Sequence, residues 1–326
     1  MFKLGIIGTG SISHEFIKAA HSTGDYQLAA VYSRTLTSAE RFVQNYENTA
    51  IFTEMLDFLS SDIDVVYIAS PNSLHFNHAK VAILARKHVI VEKPAVSRPK
   101  EWRELVKLAD EHQVYLFEAA RNYHEQAFDT ISDFLKDKTV LGANFTYAKY
   151  SSKMQALLAG EQPNVFSAKF SGGALMDLGV YPVYVAIRLF GHPRFARYSA
   201  QQLANTIDLN GAGCLIYPDF QVQIQAGKNI NSNLPAEIYT DQGTLTLDGI
   251  EFISSAIFQN LDGQEELLPI KRASHTMMEE AQAFARVLKG GQDADYVKWL
   301  NAATAVHESL FAMRKDAGIR FEVDDD

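Results

Sequence analysis

The chain has one cysteine and two tryptophans among 326 residues, and its 30 lysines and arginines are outnumbered by 39 acidic groups. Each shortage excludes something. With Cys214 alone, no internal disulfide can form, which fits a reducing compartment and a cytoplasmic protein. Its setting, Gly213-Cys214-Leu215-Ile216, reads as a buried strand thiol rather than a nucleophile. A formal charge of -9 leaves no basic face for coating a nucleic acid, although a local basic pocket for an anionic ligand remains open. No uninterrupted apolar run reaches the roughly 18 residues of a membrane span. The start, Met1-Phe2-Lys3-Leu4-Gly5-Ile6-Ile7, enters a strand at once and lacks a signal-peptide pattern. Internal repeats and low-complexity segments are missing too, and only the acidic end, 324–326, reads as a solvated tail.

What is present is an alternation. Short, β-branched runs at 3–7, 28–32, 65–69, 88–91 and 114–117 are apolar on both faces. That pattern predicts strands buried between two helix layers of a parallel sheet. Helical stretches at 12–22, 38–46, 75–86 and 99–112 lie between them, the last with Pro99 in its first turn. Together they predict an α/β, doubly wound architecture. Past residue 122 the segments 143–147, 213–217, 220–226 and 236–240 alternate with period two, with turns at Asp241-Gln242-Gly243 and Asp262-Gly263. They predict an antiparallel sheet with helices on one face and room for a partner subunit on the other. Stripes of Ala283, Phe284 and Val287, then Trp299, Leu300 and Ala303, mark two core helices at 276–288 and 296–317. The polar stretch 151–171 reads as a loop or lid. The expected domains are 1–122, binding a nucleotide, and 123–326, binding a substrate and a partner.

Gly8-Thr9-Gly10-Ser11-Ile12-Ser13 follows the first strand and opens the first helix, the context in which a glycine turn receives a dinucleotide pyrophosphate. Gly8 permits the turn, Gly10 admits the phosphates, and the helix N-terminus offers N–H groups and a positive dipole end. Ser13 stands where a third glycine is usual. About 20 residues further on, a cofactor without a 2′-phosphate usually meets a carboxylate. Here the second strand ends at Tyr32-Ser33-Arg34-Thr35, and a guanidinium beside a hydroxyl suits a 2′-phosphate. Arg34 can equally stack on adenine or stand at the surface. The reading favours NADP(H) over NAD(H).

Ser70-Pro71-Asn72-Ser73-Leu74-His75 follows the third strong strand, at the sheet edge where ligands sit in such folds, so Asn72 is a candidate for the cofactor's ribose or nicotinamide. His75 is a cofactor neighbour or a helix-start packing residue. His75 and His78 share a helix face without a third ligand, so no metal is expected. Glu92-Lys93-Pro94 closes the run Val89-Ile90-Val91. A half-desolvated amine there would have its pKa lowered toward neutrality, which suits proton exchange with a hydroxyl or carbonyl. The plainer alternative is a lysine paired with Glu92. In Gly172-Gly173-Ala174-Leu175-Met176-Asp177-Leu178-Gly179-Val180-Tyr181-Pro182, Asp177 and Tyr181 are four apart and would share a face of a continuous helix, unless Pro182 kinks it.

With these pieces together, the chain resembles the glucose–fructose oxidoreductase/inositol dehydrogenase (Gfo/Idh/MocA) family. The likeness rests on Gly8-Thr9-Gly10-Ser11-Ile12, Ser33-Arg34, Ser70-Pro71-Asn72 with His75, Glu92-Lys93-Pro94, Glu118-Ala119 and the stretch from Gly172 to Pro182. It spans essentially the whole chain. It implies an N-terminal Rossmann domain followed by a C-terminal α/β domain with a large, mostly antiparallel sheet that often forms dimers or tetramers. It implies Lys93 as the catalytic lysine, with Asp177 and Tyr181 in the substrate site. Histidine is common where Tyr181 stands, and tyrosine is similar to the subgroup acting on diols and aldoses. Two positions depart from the family: Phe166-Ser167 replaces a frequent Trp-Arg pair, and Glu125-Gln126-Ala127 lacks a frequent proline.

The function expected is NAD(P)-dependent hydride transfer on a CH–OH or C=O group of a small sugar, inositol or diol. Two other classes use nearly the same residues: a glycosidase retaining NAD for transient oxidation, and a non-catalytic NAD(P) sensor.

Overall fold

The structure, a computed structural model, describes residues 1–290 and 294–325. It divides into two units, Met1–Ala119 with Ser274–Leu300, and Ala120–Ala273 with Asn301–Asp326. The continuous boundary expected after residue 122 is therefore different in two ways: it falls at Ala119, and the segment Ser274–Leu300 returns to the first unit.

The first unit alternates β1 (Phe2–Ile7), α1 (Ser11–Ser22), β2 (Tyr26–Tyr32), α2 (Leu36–Val43), β3 (Ala50–Phe52), α3 (Met55–Ser60), β4 (Val65–Ile68), α4 (Asn72–Leu84), β5 (His88–Glu92), α5 (Pro99–Glu111) and β6 (Leu116–Ala119). Its six strands lie in the order β3-β2-β1-β4-β5-β6, all parallel. This is the doubly wound Rossmann order. Aliphatic runs without alternation cause it: Leu4, Ile6, Val65, Val66, Ile68, Val89, Ile90 and Val91 are all fully buried. Each contributes roughly 1.5–3 kcal/mol relative to exposure. Neither β3 nor α3 was expected, because three and six residues are too short to display a period. After β5 the chain is held by Glu101, whose carboxylate accepts from the backbone N–H of Ser97 and Arg98, both at 3.1 Å. The returning segment completes the core. In α9 (Met278–Gly290) the ring of Phe284 stacks on Phe117 with centroids 4.7 Å apart, and Tyr26 donates to the Ala281 carbonyl at 3.0 Å.

The second unit contains α6 (Ala127–Leu135), β7 (Val140–Ala148), α7 (Met154–Leu158), α8 (Val180–Phe190), β8 (Phe195–Gln202), β9 (Asp208–Ile216), β10 (Gln221–Gly227), β11 (Ala236–Thr240), β12 (Gly243–Leu247), β13 (Ala256–Asn260) and β14 (Glu265–Leu267). Its eight strands run β14-β13-β12-β11-β7-β10-β9-β8, antiparallel except for β7 beside β10. Ile238, Leu245, Ala143, Val222 and Leu215 form one inward row, with α6, α8 and the end of α10 (Ala294–Asp316) in the same core. The opposite row, read across the register, is Leu267, Ile257, Thr246, Glu237, Asn144, Gln223, Cys214 and Arg197. Cys214 is a strand residue as expected, but it lies on this outward row and is only half-buried.

Three further expectations change. The stretch 151–171 is not a plain loop, since it contains α7 and two short 3-10 turns. The helical stretch Ala168–Phe190 is long and apolar enough to cross a membrane, a feature missed by looking only for uninterrupted runs. Yet 78% of its most apolar window is buried inside the molecule, which makes it a core helix. Asp324 is not a free tail residue: it pairs with the buried guanidinium of Arg314 and accepts from the Phe321 N–H at 2.9 Å. Asp326, assigned to the same tail, lies outside the described residues.

Candidate active site

In the first unit a cleft of about 510 Å³ opens at the C-terminal ends of β1, β2 and β4. Gly8, Thr9, Gly10, Ser33, Arg34, Ser70 and Pro71 line it, and so do Tyr32, Thr35, Ser38, Leu74 and His78. Gly8 has φ +106°, and a Cβ there would stand 2.4 Å from the Ala69 carbonyl oxygen, so the β1 turn and the β4 loop touch only through a glycine. Ser13, the substitute for a third glycine, is fully buried and donates to the Gly8 carbonyl at 2.7 Å. Its hydroxyl thereby fixes the turn that a glycine would leave loose.

The residues fit a dinucleotide. A Cβ on Gly10 would meet nothing within 4 Å, and no side chain caps the N-terminus of α1. The helix thus presents open N–H groups to open space, the requirement for a pyrophosphate. The cleft's size is within the ordinary range for small-ligand sites. His78, given above only as half of a rejected metal pair, belongs to this wall. Its Nδ1 is 2.9 Å from the Ser70 hydroxyl. Burial, then the charges of His75 and Arg34, lower its pKa to about 4. Ser11, Ile12, Asn72 and His75 are near in sequence but do not line the cleft.

His75 has a different place. It is buried, with Nδ1 3.0 Å from the Pro94 carbonyl oxygen and Nε2 2.6 Å from that of Ser70. Burial lowers its pKa, while the two carbonyls oppose that by favouring the protonated ring. A neutral ring can donate to only one of them. His75 therefore ties the cleft wall at Ser70 to the residue after Lys93. Lys93 itself follows β5 directly, half-buried, joined to Pro94 by a cis peptide bond. Its neighbour Glu92 is buried and accepts from the Tyr67 hydroxyl, and the Tyr67 ring stacks on Phe16 of α1 at 3.9 Å. Glu118 on β6 accepts from the Ala95 N–H at 2.9 Å. Two buried carboxylates thus hold the strand end that carries the amine.

In the second unit, 175–179 forms a wide, π-type turn before α8 begins at Val180. Pro182 cannot donate to the carbonyl four residues back and its ring would crowd it, which a widened turn relieves. The helix runs on through this turn but is not a regular α-helix there, so the shared face expected of Asp177 and Tyr181 is altered, and the two go to different partners. The half-exposed carboxylate of Asp177 pairs with Lys228, which is 4% exposed. Tyr181 is buried, edge-on to Tyr147 at 5.2 Å, with the Arg121 guanidinium 5.7 Å from its ring centroid. Glu251 joins the group, 3.0 Å from Arg121 and hydrogen-bonded by the Tyr147 hydroxyl. Phe166, one of the two departures from the family pattern, is buried with its ring 5.9 Å from the Lys228 amine.

Lys228, Arg121, Tyr147 and Glu251 were not found from the sequence. Lys228 left one signal: Val222, Ile224 and Ala226 are the inward positions of β10, and residue 228 continues their parity. Among the described residues, no group of three or more His, Cys, Asp or Glu side chains could hold a metal.

A Rossmann sheet with a turn fit for a pyrophosphate, and a lysine directly after its fifth strand, are the features of an NAD(P)-binding oxidoreductase. The family model for the oxidoreductase family with an NAD-binding Rossmann fold, GFO_IDH_MocA, matches residues 2–120. The chain is 36% identical to the uncharacterized oxidoreductase YgjR of Escherichia coli K12, over 88% of each chain. It is 32% identical to the scyllo-inositol 2-dehydrogenase (NADP(+)) IolU of Bacillus subtilis 168, over 99% of each. The chain belongs to the Gfo/Idh/MocA family of oxidoreductases. The 3-ketoreductase KijD10 of Actinomadura kijaniata, solved with NADP and TDP-benzene, has the same fold, with a TM-score of 0.83 over 97% of both chains at 20% identity.

Proposed function

We propose that the protein is an NADP(H)-preferring dehydrogenase or reductase acting on a CH–OH or C=O group of a small polyhydroxylated substrate, such as an inositol, sugar or diol. The observation that carries this reading is Arg34 with Ser33 at the rim of the cleft, in the unit where Lys93 directly follows β5. The bound nicotinamide supplies the hydride acceptor or donor. The chain's own groups do the rest. Gly8, Thr9, Gly10, Ser70 and Pro71 hold the pyrophosphate and ribose, and Ser33 and Arg34 hold the 2′-phosphate. Lys93 takes the proton from the substrate hydroxyl as the carbonyl forms, and returns it in reduction. Asp177 accepts a hydrogen bond from a substrate hydroxyl, and Tyr181 donates one to a substrate oxygen, which fixes the reacting carbon. The name of IolU supports both the cofactor and the substrate class.

The test is NADP+ reduction by the purified protein over scyllo-inositol, other inositols, aldoses and diols, followed by absorbance. Activity with at least one of them is expected. Lys93→Met should lose about 10²–10⁴-fold in turnover while still binding NADPH. Undiminished turnover in that variant would remove Lys93 from the reaction.

We also infer a cytoplasmic homodimer or homotetramer. Its support is the outward face of the second unit's sheet, where Leu267, Ile257 and Tyr239 are exposed and Gln and Thr side chains predominate over charges. Light scattering should give a mass above that of one chain, and Ile257→Lys should lower it.

A further inference from the structure

We infer that Lys228 is a positioning residue for Asp177. This rests on the proposed role of Asp177 toward the substrate. The pair is lopsided: the lysine side chain is 6% exposed and the aspartate 36%. An ammonium taken out of water is costly, and a buried ion pair repays little of that cost as stability. The lysine's surroundings show what the arrangement obtains instead. Its backbone is fixed on both sides, donating to the Leu209 carbonyl at 2.7 Å and accepting from the Ser151 N–H at 2.8 Å. Its amine lies against Asp177 Oδ2 and the Phe166 ring. Lys228 is thus held at its backbone and enclosed, continuing the inward parity of β10, the strand that packs most against the 175–179 turn.

The turn it meets is an irregular one. A π-type turn displaces its side chains from the faces of a regular α-helix, so the direction of Asp177 departs from the one its spacing implies. The amine of Lys228, directly after a neighbouring strand, meets the carboxylate in that direction. Engaging Oδ2 orients the carboxylate plane, and a substrate hydroxyl would meet the group from its solvent-facing side. The same exposure makes the role separable from folding. With Lys228 removed, the carboxylate can turn to water rather than stay buried and uncompensated.

The test compares wild type, Lys228→Met, Asp177→Asn and the double variant, with scyllo-inositol and NADP+ as probes. Lys228→Met should lower kcat by on the order of 10²-fold. Its NADPH affinity should stay unchanged, and its melting temperature should fall by no more than about 4 °C. The double variant should be no worse than Asp177→Asn, because the lysine acts only through the carboxylate. Losses that add, or a Lys228→Met enzyme with wild-type kcat, overturn the inference. A second readout does not depend on turnover. Crystal structures of wild type and Lys228→Met should show Asp177 leaving its rotamer, and an unmoved carboxylate refutes the positioning role. If wild type oxidises no polyol, the functional proposal fails while the crystallographic comparison still decides the inference.

Discussion

A Cβ placed on Gly173 would stand 2.1 Å from Oδ1 of the buried Asp208 carboxyl. The same glycine has φ +116°, a region side chains avoid, so space and backbone both demand glycine here. Asp208 uses that closeness to accept from the Leu175 N–H at 2.7 Å and from the Tyr198 hydroxyl at 3.0 Å. The glycine pair and Asp208 together form the seat from which the turn bearing Asp177 starts.

Gly173→Ala should therefore destabilise the second unit by about 3 kcal/mol or more, combining backbone strain with overpacking. Denaturant unfolding measures it. A loss below about 1 kcal/mol would mean that the seat yields easily, contrary to a rigid cradle.

Asp208→Ala should cost about 2–4 kcal/mol, because it leaves two buried donors without their acceptor. It also clears the space that a methyl on Gly173 needs. The double variant Gly173→Ala/Asp208→Ala should then be more stable than the sum of the two single losses allows. Strict additivity in the same unfolding measurement would contradict the contact between the two positions.

The legibility of these parts in the sequence follows their range along the chain. The glycine turn, the Arg34 position and Lys93 are local: a strand, a turn and a helix within a few residues carry their chemistry. Short strands buried on both faces are legible for the same reason, and so the sheet order follows. Lys228 and Asp177 are 51 residues apart, and Tyr147 and Glu251 are 104 apart. Nothing local joins such pairs; the packing of the 175–179 turn on β10 brings the first together, and the loop between β12 and β13 carries Glu251 to Tyr147. His75 was open between two readings, a cofactor neighbour and a helix-start packing residue, and its side chain, one turn into α4, points back to the carbonyls of Ser70 and Pro94. The return of Ser274–Leu300 to the first unit was hidden as well, because an apolar helical stripe does not say which core it joins.

The first unit should weaken in mild acid. Burial holds His75, His78, His21 and His88 below the ordinary histidine value of 6.5, His78 at about 4. These rings are neutral when folded, whereas the unfolded chain protonates them near 6.5. Between that value and the folded ones the unfolded state binds more protons, so stability is fully present above 6.5 and falls as pH drops toward 4. Asp208 has the opposite sign, its pKa raised by burial, but it lies in the second unit. The denaturant midpoint of the first unit's transition should fall between pH ~7.5 and pH ~5, and His78→Gln should flatten that dependence. A midpoint that rises on acidification would show these rings charged in the folded protein.

Cofactor choice turns on Arg34. It is exposed and lines the cleft with Ser33, Thr35 and Ser38, the last two bonded to each other through their hydroxyls at 2.8 Å. A surface arginine with no ligand contributes little to stability, so Arg34→Ala should leave the melting temperature unchanged. A guanidinium on a 2′-phosphate forms charge-assisted bonds that contribute about 1.5–3 kcal/mol. That corresponds to a loss of roughly 10–150-fold in NADPH affinity, read by fluorescence titration. NADH lacks the 2′-phosphate, so its affinity should move by less than about threefold, and the variant's preference should shift toward NAD(H). If both affinities fall together, Arg34 acts on the adenine rather than on the phosphate. If neither moves, the cleft rim takes no part in selecting the cofactor.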